Sequence, residues 1–223
     1  MSSDPGVRAA GAFSERDRRI LDAAALAFRE KGFHGVGMDE LGARAGLSGP
    51  SLYRHFSGKH EILATLLNLA MDELVSATAV GPEDPAADLD RVLRHHVRFA
   101  LEQHDLVVLY QREVGNLAEP WAPAFARRMG HYTRRWEALF SRRLPDLDPD
   151  EVAVLTQAAL GTVFSVSTWP ARAHRVAAAG GPEAVSELVL DLLHRGLEGP
   201  LSGRESPTSP RRSDGTAARR IPR

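Results

Sequence analysis

The sequence contains no cysteine, and this absence excludes several kinds of chemistry at once. Without thiols the chain can form no disulfide, no thiolate metal site and no cysteine nucleophile. It also lacks a run of about 18 apolar residues, the length that a membrane-spanning helix needs. The most apolar stretch, 152–166, is interrupted by Thr, Gln and Ser, and residues 1–11 lack the apolar core of a signal peptide. These absences predict a cytoplasmic protein that does not enter a membrane.

An excess of charge of one sign is also lacking, because 28 Lys and Arg residues face 29 Asp and Glu residues. The balance differs along the chain. Residues 1–61 carry nine basic and eight acidic residues, residues 199–223 carry six Arg and two acidic residues, and the middle has a net charge of -6. A polyanion would therefore meet the ends of the chain rather than its acidic middle.

Apolar residues recur at helical spacing through most of the chain, and no segment alternates for long with the period of two that marks a strand. Ser14 is predicted to cap a first helix that ends at Gly32. Ser48 and Ser57 are predicted to cap two later helices. The remaining boundaries follow from Pro and Gly punctuation and predict helices at 14–31, 38–45, 50–56, 57–80, 85–103, 105–117, 123–144, 149–169 and 182–197. The predicted fold class is all-α.

Both ends of the chain differ in composition from this helical middle. Residues 1–12 are rich in Gly, Ser and Asp, and residues 199–223 are rich in Arg, Ser and Pro. Neither segment has apolar periodicity, so both are predicted to be disordered. The Arg residues of the second segment either add non-specific affinity for DNA or form an inert tail.

The most informative segment is 35–59, in which two short helices flank a turn at Gly46-Leu47-Ser48. A short turn that contains Gly is typical of a helix-turn-helix unit. A small core can be shared by Leu41, Ala45, Leu47, Leu52 and Phe56. The opposite face is predicted to lie in a major groove of DNA. This face consists of Ser48, Gly49, Pro50, Ser51, Tyr53, Arg54 and His55.

The residue types on this face suit contact with a duplex. Small residues at 49 and 51 let the helix approach base edges, and Tyr53 offers a hydroxyl and an aromatic ring. Arg54 either reads guanine, holds a phosphate or is simply solvated. His55 and Lys59 lie where phosphates would pass, although His55 could instead act as a cation at a helix end. Alternatively, the Tyr53 side chain could belong to the core.

The segment resembles the TetR family of bacterial transcriptional regulators. The resemblance spans some 45 residues. It consists of Ile20-Leu-Asp-Ala-Ala, Phe28, Lys31-Gly32-Phe33, Met38-Asp-Glu-Leu, Ala45-Gly46-Leu47-Ser48, Ser51-Leu52-Tyr53-Arg54-His55-Phe56 and Lys59. It implies a homodimeric, all-helical repressor. Its domain at 13–57 would bind a palindromic DNA operator, and its domain at 58–198 would bind a small effector and dimerise.

The resemblance also implies roles for particular positions. Those implied to approach DNA are Ser48, Gly49, Pro50, Ser51, Tyr53 and His55, with Lys59 on a phosphate. Two positions depart from the family pattern. Gly37 replaces a Thr or Ser that caps the helix and touches phosphate, and Gly42 replaces an Ala within the helix, which costs about 0.5–1 kcal/mol.

The effector site is predicted from aromatic and polar residues of the later helices. Aromatic side chains that either line a cavity or belong to the core are Phe99, Tyr110, Trp121, Phe125, Tyr132, Phe164 and Trp169. Arg112, Glu113 and Asn116 are polar residues in an apolar helix, so they either recognise a ligand or form a structural Arg–Glu pair. The stretch 109–117 is similar to one in TetR-type regulators of acyl-CoA, fatty-acid or sterol breakdown genes.

Helices 149–169 and 182–198 are too apolar for ordinary surface helices. They are therefore predicted to be buried in the fold or to form the seam of a homodimer. No catalytic motif, phosphate-binding Gly loop or dinucleotide fingerprint is present, so no enzyme, cofactor or metal is predicted. The sequence predicts a ligand-responsive DNA-binding regulator. The alternative is a helical small-molecule-binding protein with a non-functional helix-turn-helix.

Overall fold

A computed structural model describes residues 13–79, 81 and 84–198, and within these ranges the chain forms helices and no strand. The predicted all-α class is therefore confirmed. The helices are α1 Glu15–Lys31, α2 Met38–Arg44, α3 Gly49–Leu52, α4 Lys59–Ala77, α5 Pro85–Glu102, α6 His104–Glu113, α7 Trp121–Arg143, α8 Pro149–Ser165 and α9 Ala171–Glu198. Short 3-10 helices follow α6 at Val114–Asn116 and α8 at Val166–Thr168. The two predicted disordered ends lie outside the described residues.

The predicted start of α1 is confirmed, because a side chain there accepts from a free backbone N–H group. Ser14 caps α1 and forms a reciprocal pair with Asp17, each side chain accepting from the backbone of the other. Ser48 occupies the position before α3, but its hydroxyl makes no capping bond. The prediction for Ser57 is wrong, because Gly58 precedes α4 and the Ser57 hydroxyl donates to Glu61 instead.

Helices α1, α2 and α3 enclose a small apolar core. Leu41, Leu52 and Phe56 are buried in it, as the sequence predicts, against Ile20 and Phe28 of α1. The turn between α2 and α3 closes when the Leu47 N–H donates to the Gly42 carbonyl at 2.8 Å. Gly46 adopts a φ of 69° in this turn, a backbone conformation that other residues reach only with strain. These features fix the angle at which α3 leaves the core.

The later helices pack around a second apolar layer in which Trp136 of α7 is fully buried. Helix α5 packs against both α7 and α9. Polar contacts support this packing, because the buried Asp88 of α5 accepts hydrogen bonds from Arg142 of α7 and from Arg91. Helix α4 contacts α1 beside the small core and contacts α7 in the second layer, so one long helix belongs to both parts of the structure.

The last two helices differ in detail from their predicted bounds. Helix α8 ends at Ser165 and continues as a 3-10 turn, whereas the sequence predicts one helix to 169. Helix α9 begins at Ala171, eleven residues before its predicted start, and is interrupted at Gly181, whose φ of 76° is not helical. The predicted segment 182–197 is therefore the part of α9 that follows this break.

Candidate functional site

The first candidate site is the outer face of α3 and of the turn at 53–55 that follows it, because α3 ends at Leu52 whereas the sequence predicts a helix to 56. Ser48, Pro50, Tyr53 and Arg54 are exposed there, while Gly49 and Ser51 are half-buried. Tyr53 has 55% of its surface exposed, so its alternative place in the core does not apply. Arg54 donates to the Ser51 hydroxyl at 3.2 Å. The structure thus brings the residues at 48–54 together on one accessible face that carries hydroxyl groups, one phenol and one guanidinium.

His55 lies at the edge of this face and contacts the start of α1. Its Nδ1 atom lies 2.8 Å from Asp17 Oδ1, in a half-buried position. Burial alone would raise the pKa of Asp17, but the hydrogen bonds from Ser14 and His55 outweigh it, so the pKa lies below its ordinary value. The Asp17 carboxylate therefore stays charged and joins the beginning of α1 to the end of α3.

Lys59 points toward the protein. Its Nζ atom donates to the carbonyl oxygens of Phe33 and Val36 at 2.9 and 3.1 Å and lies 4.5 Å from the centre of the Phe33 ring. The ammonium group thus closes the segment between α1 and α2. Its predicted contact with a phosphate stays a prediction.

The two positions that depart from the family pattern have different surroundings. Gly37 precedes α2, which has no side-chain cap, and a Cβ atom there would meet no other atom within 4 Å. A Cβ atom at Gly42 would lie 3.1 Å from the Leu47 carbonyl oxygen. Gly42 therefore permits the close approach of the turn to α2, which offsets the helix-propensity cost expected from the sequence.

The second candidate site is a cavity of about 490 Å³ between α4, α5, α6, α7 and α8. Volumes of about 300–1,000 Å³ are usual for small-molecule sites. Five of the predicted effector residues line it, namely Phe99, Tyr110, Phe125, Tyr132 and Phe164. The predicted Trp121 and Trp169 do not line it. The Trp169 ring nitrogen instead donates to the Ser165 hydroxyl at 3.1 Å.

The sequence did not predict the remaining lining residues. They are Leu67, Ala70, Met71, Leu74, Leu106, Val107, Gln111, Met129, Thr133, Gln157, Leu160, Gly161, Ser165 and Thr168. Most are apolar and carry no mark that separates a cavity from a core. The signal that could have found the site is Gln157, a polar residue within the apolar helix α8.

A group of buried aromatic and imidazole rings lies beside the cavity. His96 of α5 is fully buried and contacts the rings of Tyr132 and Trp136. Its Nδ1 atom lies 2.6 Å from the Val92 carbonyl oxygen. Burial lowers the pKa of His96 to about 3, so the ring is neutral at physiological pH and Nδ1 carries the proton.

The polar residues at the end of α6 do not line the cavity, so their predicted place in the effector site is corrected. Glu113 is only 6% exposed and accepts a hydrogen bond from the Asn116 amide at 2.7 Å, not from Arg112. The Asn116 Oδ1 atom lies 2.8 Å from His34 Nε2, and its backbone oxygen lies 3.1 Å from His60 Nδ1. Glu113 and Asn116 therefore form a junction with the segment after α1 and with α4, while Arg112 is exposed.

Comparison with known proteins assigns both the helix-turn-helix part and the later helices to one family. Residues 20–66 match the family model of the bacterial regulatory proteins of the tetR family. Residues 82–197, more than half of the chain, match the tetracyclin repressor-like C-terminal domain. The chain belongs to the TetR family. The first match of this TetR-family chain contains α2, α3 and most of α1, and the second contains the helices from α5 to α9.

Individual relatives agree with this assignment. The chain is 47% identical over 62 residues to the transcriptional activator FasR of Mycolicibacterium smegmatis, which covers 28% of each protein. It is 30% identical over 121 residues to the transcriptional repressor KstR2 of Mycobacterium tuberculosis, which covers 50% of this chain and 57% of KstR2. The matched segments thus span less than two thirds of either relative.

The fold also agrees with that of a solved structure. The structure of AibR in complex with isovaleryl coenzyme A and operator DNA superposes with a TM-score of 0.61 and 24% identity. The superposition covers 70% of this chain and 88% of AibR. Among the described residues, no helix is long and apolar enough to cross a membrane, and no three His, Asp or Glu side chains are grouped as metal ligands would be.

Proposed function

We propose that this protein is a homodimeric transcriptional regulator, most simply a repressor, that binds a palindromic operator and releases it when a small, largely apolar effector enters the cavity. The observation that carries this proposal is the exposed face of α3. Tyr53 stands out from this face, while Leu52 and Phe56 of the same segment are fully buried. A large aromatic side chain left in solvent by a rigid unit is typical of a binding surface.

The proposed DNA contacts divide into two kinds. Residues with accessible side chains on the α3 face, Ser48, Ser51 and Tyr53, would contact base edges or sugar in the major groove. Arg54 and Lys59 would contribute positive charge near the phosphates, which sets affinity without reading sequence, and His55 would offer a ring nitrogen there. Lys59 would do so while keeping its carbonyl contacts, because its charge acts over several ångströms.

The proposed dimer forms through α8 and α9. The large apolar side chains of Val154, Leu188 and Leu192 are 68%, 62% and 64% exposed. Contiguous exposed apolar residues mark protein interfaces, and a two-fold interface uses the same surface of both copies. In a dimer the two α3 helices would lie about one helical turn of DNA apart, roughly 34–36 Å.

The proposed response to effector runs through α6. This helix lines the cavity with Leu106, Val107 and Tyr110, and it packs against α1. Asp105 at its start accepts from Arg29 of α1 at 2.7 Å, and Asn116 just after its end contacts His34. A ligand that moves α6 must therefore strain or break contacts to the α1–α3 unit, which changes the free energy of DNA binding.

An acyl-CoA or another lipid is the proposed class of effector. AibR was crystallised with isovaleryl coenzyme A and operator DNA, and KstR2 has been described as a ketosteroid transcriptional regulator. An apolar lining of the size found here suits an acyl chain or a ring system of comparable size.

The test is a titration of the DNA upstream of the gene with purified protein, followed by fluorescence anisotropy at several salt concentrations. We expect sequence-dependent binding that weakens with salt. Tyr53→Ala should lower operator affinity about tenfold without changing the dimer or its unfolding midpoint, because the side chain is exposed. Exposed Leu26 of α1, changed to Ala, is the control. Ligand binding in the absence of any operator binding would favour the small-molecule-binding alternative.

A further inference from the structure

The cavity has a chemical character beyond being apolar, because none of the described residues that line it is charged. The polar groups among them are amides and hydroxyls, on Gln111, Thr133, Gln157, Ser165 and Thr168, and the two phenols of Tyr110 and Tyr132. An ion in the buried part of such a lining would lose its hydration and gain no opposite charge, which opposes its binding.

The ionisable group beside the cavity does not change this balance. His96 contacts the Tyr132 ring, with ring centres 5.8 Å apart. Because the imidazole is neutral and its Nδ1 proton is already donated to Val92, it offers no positive charge to a carboxylate or phosphate. Whatever part of a ligand fills the cavity must therefore be uncharged.

The hydroxyl groups of the lining differ in whether the protein already satisfies them. Ser165 and Thr168 donate to backbone carbonyls of their own helical turns, at 2.8 and 2.9 Å. Tyr132 is only 2% exposed, and its hydroxyl has no hydrogen-bond acceptor among the described residues. The neighbouring Trp136 indole can only donate, so it cannot take the phenol proton.

Tyr110 adds a second phenol to the same cavity. It is half-buried, and its hydroxyl makes no hydrogen bond within the described part of the chain but, unlike that of Tyr132, is in contact with solvent. Burial raises the pKa of both phenols, so both keep their protons at physiological pH and can donate. A buried donor without an acceptor costs free energy, and a ligand oxygen that accepts from it recovers that cost.

We propose that the cavity binds an uncharged, mainly apolar group that carries one carbonyl oxygen, as in an ester, thioester or ketone, and that this oxygen accepts a hydrogen bond from the hydroxyls of Tyr132 and Tyr110. The proposal rests on the cavity being the effector site proposed above. It assigns a preference that size and apolarity alone do not give. An ionised acid of the same carbon skeleton should be rejected, and any charged part of a larger ligand should remain outside.

The test compares two probes by isothermal titration calorimetry at pH 8, with the full-length protein and no DNA. Methyl octanoate is uncharged, whereas octanoate has nearly the same skeleton and is fully ionised. We expect the ester to bind at least tenfold more tightly than the acid. Equal affinities, tighter binding of octanoate, or no detectable binding of the ester would each overturn the proposal.

The hydrogen bond is tested by removing hydroxyl groups while keeping the rings. The double variant Tyr110→Phe/Tyr132→Phe should bind the ester about fivefold or more weakly than the unchanged protein. Ser141→Ala removes an exposed hydroxyl of α7 that lies outside the cavity, and it should leave ester affinity unchanged. Equal ester affinity in the double variant and the control would refute the role of the phenols, and unchanged unfolding midpoints would show that the double variant is folded.

A separate measurement distinguishes this inference from the proposed function. Methyl octanoate is added to a complex of the protein with its upstream DNA, and anisotropy reports release. Tight ester binding without release would contradict the regulator proposal and leave the cavity chemistry standing. Release by octanoate but not by the ester would contradict the cavity chemistry and leave the regulator proposal standing.

Discussion

Asn116 provides a sharp test of how the helix α6 is joined to the helices α1–α4. Its amide donates to Glu113 at 2.7 Å, and its Oδ1 atom lies 2.8 Å from His34 Nε2. The variant Asn116→Ala removes both contacts and leaves only the backbone contact to His60. It therefore separates the side-chain contribution of the junction from the path of the chain.

The magnitude follows from the burial of the partners. A hydrogen bond to a charged group contributes about 1.5–3 kcal/mol, and a neutral one about 1 kcal/mol. Because His34 is exposed, water replaces most of its bond, whereas Glu113 is 6% exposed and loses a donor that water replaces poorly. We expect Asn116→Ala to lower the free energy of unfolding by about 2 kcal/mol, which for a chain of this size lowers Tm by about 4–8 °C.

The assay is urea unfolding followed by circular dichroism at one fixed protein concentration, since the stability of the proposed dimer would depend on concentration. Gln103→Ala is the control, because Gln103 is exposed and its side chain makes no capping bond at the start of α6. Amide hydrogen exchange should also accelerate at residues 32–36 and 114–117 in Asn116→Ala alone. The reasoning fails if both variants unfold at the same urea concentration with the same exchange pattern.

Three further predictions concern the other structural features. Gly46→Ala should lower the free energy of unfolding by about 1–2 kcal/mol in urea titrations, because its φ is 69°, and an unchanged midpoint would contradict the strain assigned to that turn. Gly37→Thr should raise the free energy of unfolding by a few tenths of a kcal/mol through a new cap on α2, and urea titration measures this. If the new hydroxyl reaches a phosphate, operator binding should also depend more steeply on salt, which anisotropy measures. A destabilised variant would rule out the cap. Burial alone would raise the pKa of Asp88, but its hydrogen bonds with Arg142 and Arg91 outweigh burial and hold the pKa below its ordinary value of 3.8. The ionised Asp88 therefore stabilises the fold above pH 3.8, and this stabilisation is lost as the pH falls below that value. Asp88→Asn should therefore lower Tm at pH 7 and flatten its decline below pH 4, and parallel profiles for both proteins would argue against the linkage.

Local patterns were sufficient to predict the helices and the helix-turn-helix face. The apolar spacing that placed Leu41, Leu52 and Phe56 in a core also left Tyr53 outside it, because both follow from the same helical period. Cap residues gave the start of α1, where Ser14 and Asp17 act across one turn. They failed at Ser57, where the hydroxyl donates to Glu61 and the same carboxylate also accepts from the Ser57 backbone N–H.

Contacts between distant segments could not be read in this way. Glu113 and Asn116 were predicted to bind a ligand because polar groups in an apolar helix need partners. They do have partners, but these partners belong to the protein. Their neighbours, His34 and His60, lie 82 and 56 residues away in sequence, so helical spacing could not identify them. The aromatic residues that line the cavity share the same limit, since a cavity wall and a packed core use the same side chains.

Helix α1 makes polar contacts near both of its ends, so a tilt about one end displaces the contacts at the other. Asp17 near its start contacts His55 beside the exposed α3 surface, and Arg29 near its end forms an ion pair with Asp105 of α6. Its 17 residues make it about 25 Å long at 1.5 Å per residue. A tilt of only about 5° about one end would thus carry the other end through roughly 2 Å, a distance comparable with the difference between a formed and a broken hydrogen bond. Under the proposed function, a small rearrangement around a bound effector would be enough, without any unfolding, to shift the α3 surface relative to DNA.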